Sequence, residues 1–268
     1  MTYSSIFPRT TSSRRLVLTI MMLTTASIPV CSAAAEPVFE KVLLPVVSST
    51  PTPGAFGSLW RTQVTFLNRG ADPLGITGLF PCPVEPCTEG ALPPNSTVEM
   101  VPRANSSPTV GQFLGIDPSR QQDLRIDLRV FDASRSATSF GTQVPVVFES
   151  GAETRPVNLL GVATTAPFRA LLRIYDFDRD ASHAVTVNFY RPSNDLNAAD
   201  QLINSTTATL VPGPDNNEPG YAQVDVSASA LGQSPVRIEV RPLSTGLRFW
   251  VMASVTNNDT QQVTLVTP

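Results

Sequence analysis

Short runs of alternating apolar and polar residues, each bounded by Pro, Gly, Asn or Asp, cover most of the chain after its first 37 residues. A period of two places one side of a strand in a core and the other in water. In "VRIEVR" the residues Val236, Ile238 and Val240 point one way, while Arg237, Glu239 and Arg241 point the other. One buried face and one wetted face is the pattern of an antiparallel sheet. The second half predicts seven such strands, over 168–177, 184–190, 205–211, 221–227, 235–241, 247–256 and 261–267. The first half predicts eight, over 38–47, 62–68, 75–80, 97–101, 110–116, 124–131, 142–149 and 155–160. Only "SNDLNAADQLIN", 193–204, reads as a short helix, so the chain is expected to be all-β.

The two halves echo one another. "LRIDLRV" from Leu124 is answered by "VRIEVRP" from Val236, and "GQFLGID" just upstream by "AQVDVSA". "FGTQVPVVFESGAETRPVNLL" is answered by "FWVMASVTNNDTQQVTLV", and "WRTQVTFLNRG" by "FRALLRIYDFD". Four echoes in one order point to an internal duplication, with a first unit at 36–162 and a second at 163–268, joined near "GVATTAP". Seven short strands in about 100 residues is the strand count of an immunoglobulin-like antiparallel β-sandwich. The expected architecture is therefore two tandem sandwiches. Each unit is long enough to bury roughly 60–70% of its unfolded surface without a metal or several disulfides.

"TQVTFLNRGADPLGITG", Thr62 to Gly78, is a strand, an N-x-G turn and a second strand. It resembles the opening hairpin of immunoglobulin-like modules in bacterial secreted and surface proteins. The second unit departs from that pattern, with "YDFDRDASH" in place of "LNRGADP". The resemblance implies an exported, non-catalytic module.

The N-terminus changes the picture of location. Arg9, Arg14 and Arg15 precede an uncharged run and then "CSAAAEP". That is a positive region, an apolar region and an A-x-A-like cut, so residues 1–35 read as a cleaved signal peptide. An uncleaved anchor is the alternative, and lipid attachment at Cys31 another; Ile28-Pro29-Val30 before that cysteine lacks the usual small residue. No membrane span is expected in the mature chain. With Cys31 removed, Cys82 and Cys87 remain, an even number in an exported protein and the expectation of one disulfide. The leader takes three of 19 basic residues and none of 22 acidic ones, leaving a mature chain more acidic than the formal net charge of −3. An acidic chain lacks the basic face that nucleic-acid binding needs.

Candidate chemistry is sparse. His183 is the single histidine, Ser182 beside it would face the other side of a strand, and no G-x-S-x-G elbow exists. His183 is therefore expected in an exposed loop. Asp176, Asp178 and Asp180 in "DFDRD" are the best local constellation for a hard cation such as Ca²⁺. An EF-hand would want Gly where Ala181 stands and Glu where Val187 stands, so a solvated turn is the competing reading. Cys82 and Cys87 lack partners for a zinc site. Trp60 and Trp250 are expected in cores, with one of Phe249 and Trp250 exposed. The rows Arg125, Asp127, Arg129 and Arg237, Glu239, Arg241 read as wetted sheet faces. No catalytic residue stands out. The expectation is an exported structural, adhesive or protein-binding role at the bacterial envelope or outside the cell. A carbohydrate-binding module is the alternative, and a calcium-assisted enzyme the third class.

Overall fold

The computed structural model describes residues 39–48, 50–79, 89–100, 110–135, 137, 140–178 and 182–268. Ten strands come first: β1 (Glu40–Leu44), β2 (Thr52–Pro53), β3 (Leu59–Asn68), β4 (Leu74–Thr77), β5 (Glu89–Leu92), β6 (Ser96–Glu99), β7 (Gln112–Ile116), β8 (Leu124–Asp132), β9 (Thr142–Val144) and β10 (Val147–Phe148). Eight follow: β11 (Val157–Val162), β12 (Phe168–Asp176), β13 (His183–Arg191), β14 (Gln201–Leu210), β15 (Gly220–Asp225), β16 (Val236–Pro242), β17 (Phe249–Asn257) and β18 (Val263–Val266). All pairings are antiparallel. The all-β expectation holds.

The strands form four sheets. The earlier half gives β10-β1-β7-β4-β5 and β2-β3-β8-β9, with β6 also on β3. The later half gives β11-β16-β13-β14 and β15-β12-β17-β18. With β2 and β10 set aside, each half has eight strands in one order. The first, sixth, third and fourth share one sheet, and the fifth, second, seventh and eighth share the other. The second and seventh strands pair over matching stretches, from Trp60↔Asp132 to Asn68↔Leu124 and from Phe168↔Asn257 to Asp176↔Phe249.

That shared order reassigns the echoes. "WRTQVTFLNRG" and "FRALLRIYDFD" do fill the same place, as β3 and β12. "LRIDLRV" is β8, however, whose counterpart is β17, and "VRIEVRP" is β16, whose counterpart is β7. The other two echoes are likewise slid along the order. Alternation reports that one face is wet and not which strand is which, so any two half-buried strands match.

Local chemistry explains the other departures. The strand expected over 142–149 breaks at Pro145 and Val146, where the chain passes from the sheet holding β8 to the sheet holding β1. Proline cannot donate to a ladder, so the crossing falls there. The strand expected to close the first unit, β11, is hydrogen-bonded to β16 in the second. The 193–204 segment is not a helix. Ser193 and Asp195 hold a turn through side chain–backbone hydrogen bonds, and β14 begins at Gln201. The strand expected over 221–227 stops at Asp225, whose carboxylate caps a helical turn, α1 (Val226–Ser229), by accepting from the Ala228 N–H at 3.0 Å.

Two cores result, in one compact body from Pro37 to Pro268. The later core is made only by residues of β11–β18 and their connections, with Leu172, Ile174, Val187, Phe189, Ile238 and Val251 all fully buried. The earlier core is different. Val42, Leu44, Val64, Phe66, Ile76, Leu114 and Leu128 are joined there by Tyr175, Phe177, Trp250 and Met252 from the later half. β12 and β17 are thus covered on both faces. Phe249 and Trp250 are both buried, at 0% and 7% exposure, because they point into different cores.

Candidate functional site

The face that β12 and β17 turn away from their own core changes character along its length. Tyr175 lies opposite Trp250, Arg173 opposite Met252, Leu171 opposite Ser254, and Arg169 opposite Thr256. At the aromatic end the rings of Tyr175 and Trp250 stack with centroids 6.1 Å apart, and Tyr221 lies 5.5 Å from Tyr175. The Tyr175 hydroxyl donates to the Pro45 carbonyl of the earlier sandwich. Burial pushes that phenol well above its ordinary range. Phe177 meets Phe113 at 5.2 Å, and Lys41 Nζ donates to the Phe177 carbonyl at 2.6 Å. Backbone bonds join the halves as well, from Phe113 N to Asn217 O at 2.5 Å and between Glu153 and Phe249 in both directions.

At the polar end the two sandwiches do not fill the space between them. A cavity of about 360 Å³ remains. Trp60, Arg61, Thr62 and Thr142 line it from the earlier half; Arg169, Arg173, Ser254 and Met252 line it from the later half. Arg173 Nη1 donates to Ser254 Oγ at 2.9 Å, whereas its Nε is buried with no hydrogen-bond partner. Arg169 donates to Asn258 Oδ1 and, at 3.0 Å, to Gln261 Oε1. Burial lowers the Arg169 pKa, because the charged form loses hydration. Asp225 is the one carboxylate among the described residues of the lining, and it caps α1.

The acidic constellation read from the sequence is divided between different partners. Asp176 is fully buried; its Oδ1 accepts from the Asp178 N–H at 2.8 Å and its Oδ2 lies 2.6 Å from His183 Nδ1. Burial raises the Asp176 pKa, more than the His183 and Asp178 hydrogen bonds lower it. Asp178 instead takes the Arg248 guanidinium, which also reaches Glu149 of the earlier half at 2.5 Å. Burial works to raise the Asp178 pKa, and Arg248 more than offsets it, holding the carboxyl below its usual range. Asp180 lies outside the described residues, as do Cys31, Cys82, Cys87 and the leader. Among the described residues no group of three His, Cys, Asp or Glu is gathered closely enough to hold a metal. His183 is not in an exposed loop. It opens β13 with its side chain 17% exposed, facing Asp176.

The arginine and acid rows do lie on the side of β8 and β16 turned from the core, where Glu239 accepts from Asn188 and Arg241. The cavity went unread in the sequence. Its signal was the unbroken apolar run "FWVMASV", which marks a strand buried on two sides and not one.

One strand edge is also distinctive. β14, "QLINSTTATL", pairs with β13 and ends its sheet. Val211, just past its end, exchanges backbone bonds with Tyr221 of β15, and along β14 itself no strand among the described residues pairs the other edge. It carries no charge and no proline over ten residues, and Leu202 is 51% exposed. No family model, curated protein or solved structure matches this chain. No helix of the described residues is long and apolar enough to cross a membrane.

Proposed function

We propose that the chain is an exported, non-catalytic binding protein of the bacterial envelope, two immunoglobulin-like sandwiches derived by duplication, which takes a protein partner on the β14 edge. The observation that carries this is the ten-residue edge itself. Edges are usually blunted by lysine, proline, bulges or short length, and β14 has only the bulge opposite Phe189 and Tyr190. An unblunted edge is a template for an added strand, with backbone bonds giving affinity and alternate side chains giving choice. The engagement of Asp176, Asp178, Asp200 and Glu239 in local ion pairs or hydrogen bonds supports the non-catalytic part of the reading. A lectin-like aromatic platform finds less support. The two most exposed phenylalanines, Phe140 and Phe56, each stand alone beneath an arginine, Arg129 at 4.0 Å and Arg169 at 5.7 Å.

The test is a crosslinked pull-down from native envelope and culture-medium fractions, with residues 36–268 as bait. Thr207 and Thr209 are exposed on β14, and the double variant Thr207→Lys/Thr209→Lys serves as the comparison. A partner captured reproducibly by the natural chain and lost to the lysine variant, at unchanged melting temperature, is the expected result. A partner retained equally by both would remove β14 from the account.

A further inference from the structure

We propose that the cavity between the sandwiches binds a small carboxylated sugar, a uronic acid or a short uronate chain. This does not depend on the β14 reading, since the cavity lies between the later half's other sheet and the earlier sandwich.

Charge is the first argument. The chain is acidic as a whole, yet among the described residues the cavity gathers Arg61, Arg169 and Arg173 against the single carboxylate of Asp225. Six of the ten other described arginines, at 120, 129, 135, 237, 241 and 248, sit in ion pairs with carboxylates. None of the three cavity arginines has such a pair among the described residues. Asp225 does not take that role, because its carboxylate caps α1.

Hydrogen bonding is the second. A buried donor left without an acceptor costs free energy, and a guanidinium edge that offers one matches the planar fork of a carboxylate. Arg173 Nε has no acceptor among the described residues, while the guanidinium is held by Ser254 through Nη1 and by a side-chain hydrogen bond to Tyr221, so a small shift of the side chain would bring the Nε edge to a ligand. The site is therefore oriented before a ligand arrives, which lowers the ordering cost of binding.

Shape and lining choose the rest of the ligand. About 360 Å³ is at the lower end of the range of ligand pockets, roughly 300–1,000 Å³, so the occupant is small. Trp60 offers an aromatic wall, seated so close on Gly54 that a Cβ there would lie 2.4 Å from the indole Nε1. Thr52, Thr62 and Thr142 line it with hydroxyls that donate to the Thr50, Val46 and Val263 carbonyls and are left to accept from a ligand. Leu171 and Met252 supply apolar floor. An acid group, several hydroxyls and an apolar ring face describe a uronic acid. A bare phosphate would leave the aromatic and apolar walls unused.

The experiment is a calorimetric titration of residues 36–268 with D-galacturonate, D-glucuronate and trigalacturonate, with D-glucose and inorganic phosphate as comparisons. Tryptophan fluorescence provides a second readout, because Trp60 and Trp250 are the only two tryptophans. The expected result is saturable uronate binding that weakens with salt. Arg173→Gln and, independently, Arg169→Gln should each weaken it about tenfold or more. The fluorescence change should vanish in Trp60→Phe, and glucose should bind far more weakly. Each variant is checked by its melting temperature, so that Arg169→Gln decides the matter if Arg173→Gln does not fold. The Thr207→Lys/Thr209→Lys protein should bind uronates normally, which separates this site from the edge. No saturable uronate binding, equal binding of glucose, preference for phosphate, or indifference to both arginine variants would overturn the proposal.

Discussion

At the scale of single residues, the clearest correspondence between the two halves is a polar side chain buried at the end of a strand. Asn68 ends β3 and Asp176 ends β12, both fully buried. Each accepts, through Oδ1, the backbone N–H two residues on, Gly70 at 2.9 Å and Asp178 at 2.8 Å. That bond mimics a turn and stops the strand. The second polar atom serves a different purpose in each. Asn68 Nδ2 donates to the carbonyls of Asp72, Leu92 and Pro93, while Asp176 Oδ2 faces His183. Asn68→Ala should therefore lower stability by about 2–3 kcal/mol in urea unfolding, as buried carbonyls lose their donor. Asp176→Asn keeps the turn and should cost far less than Asp176→Ala. Its pH dependence has a defined sign. A raised folded-state pKa means stability present below the unfolded value and lost as pH rises through the folded one. The Asp176→Asn melting temperature should thus improve relative to the natural protein between pH 4 and pH 8, and a flat difference would contradict it. The strand ending and its Asn-x-Gly turn were legible in the sequence. The histidine contact was not, since Asp176 ends β12 in one sheet and His183, seven positions on, opens β13 in the other.

At the scale of elements, alternation placed most strands within a few residues of their true bounds, because a half-wet strand carries a period of two whatever its neighbours. It placed β12 and β17 as well, but it misread their faces, because neither has a wet side over part of its length. β12 ends Ile174-Tyr175-Asp176 and continues into Phe177 without an exposed residue, and β17 runs from Phe249 to Ala253 the same way. A sequence read for one buried face leaves one of Phe249 and Trp250 exposed, whereas the structure buries both, Trp250 in the core of the neighbouring sandwich. Arg248, just before β17, shows how such an element is tied down. It links Asp178 at the end of β12 to Glu149 in the turn after β10. The pair is partly exposed, so Arg248→Gln should cost about 1 kcal/mol at pH 7. The depressed Asp178 pKa gives the sign: that stability is present above the unfolded carboxyl range and lost as pH falls through the folded value. The gap between Arg248→Gln and the natural protein should close on acidification below about pH 4. Thermal melts at stepped pH measure it.

At the scale of the whole molecule, the two sandwiches are unequal. The later one closes its core with its own residues, and the earlier one needs Tyr175, Phe177, Trp250 and Met252. Large aromatic truncations in a core cost about 3–5 kcal/mol, so losing all four should unfold the earlier half. A fragment of residues 37–153 is expected to show no cooperative transition. A fragment of residues 154–268 should fold, yet bind a hydrophobic dye and self-associate through its uncovered sheet. Tyr175→Ser with Trp250→Ser in that fragment should suppress both behaviours. A monomeric, dye-free 154–268 would show that the shared sheet matters less than its burial implies. This dependence was not visible in the sequence, where eight strands in one half and seven in the other, all with the same period of two, read as equal units.

The doubly covered sheet also bears on time. A ribosome delivers the N-terminus first, but the half delivered first is the one that cannot be completed. It has to wait as an open shell for a stretch of chain more than a hundred residues downstream of β3. If the 37–153 fragment fails to fold as expected, the later sandwich is the mould and the earlier one the casting, and the chain matures from back to front. Any machinery that handles it during that interval meets the N-terminal half unsealed.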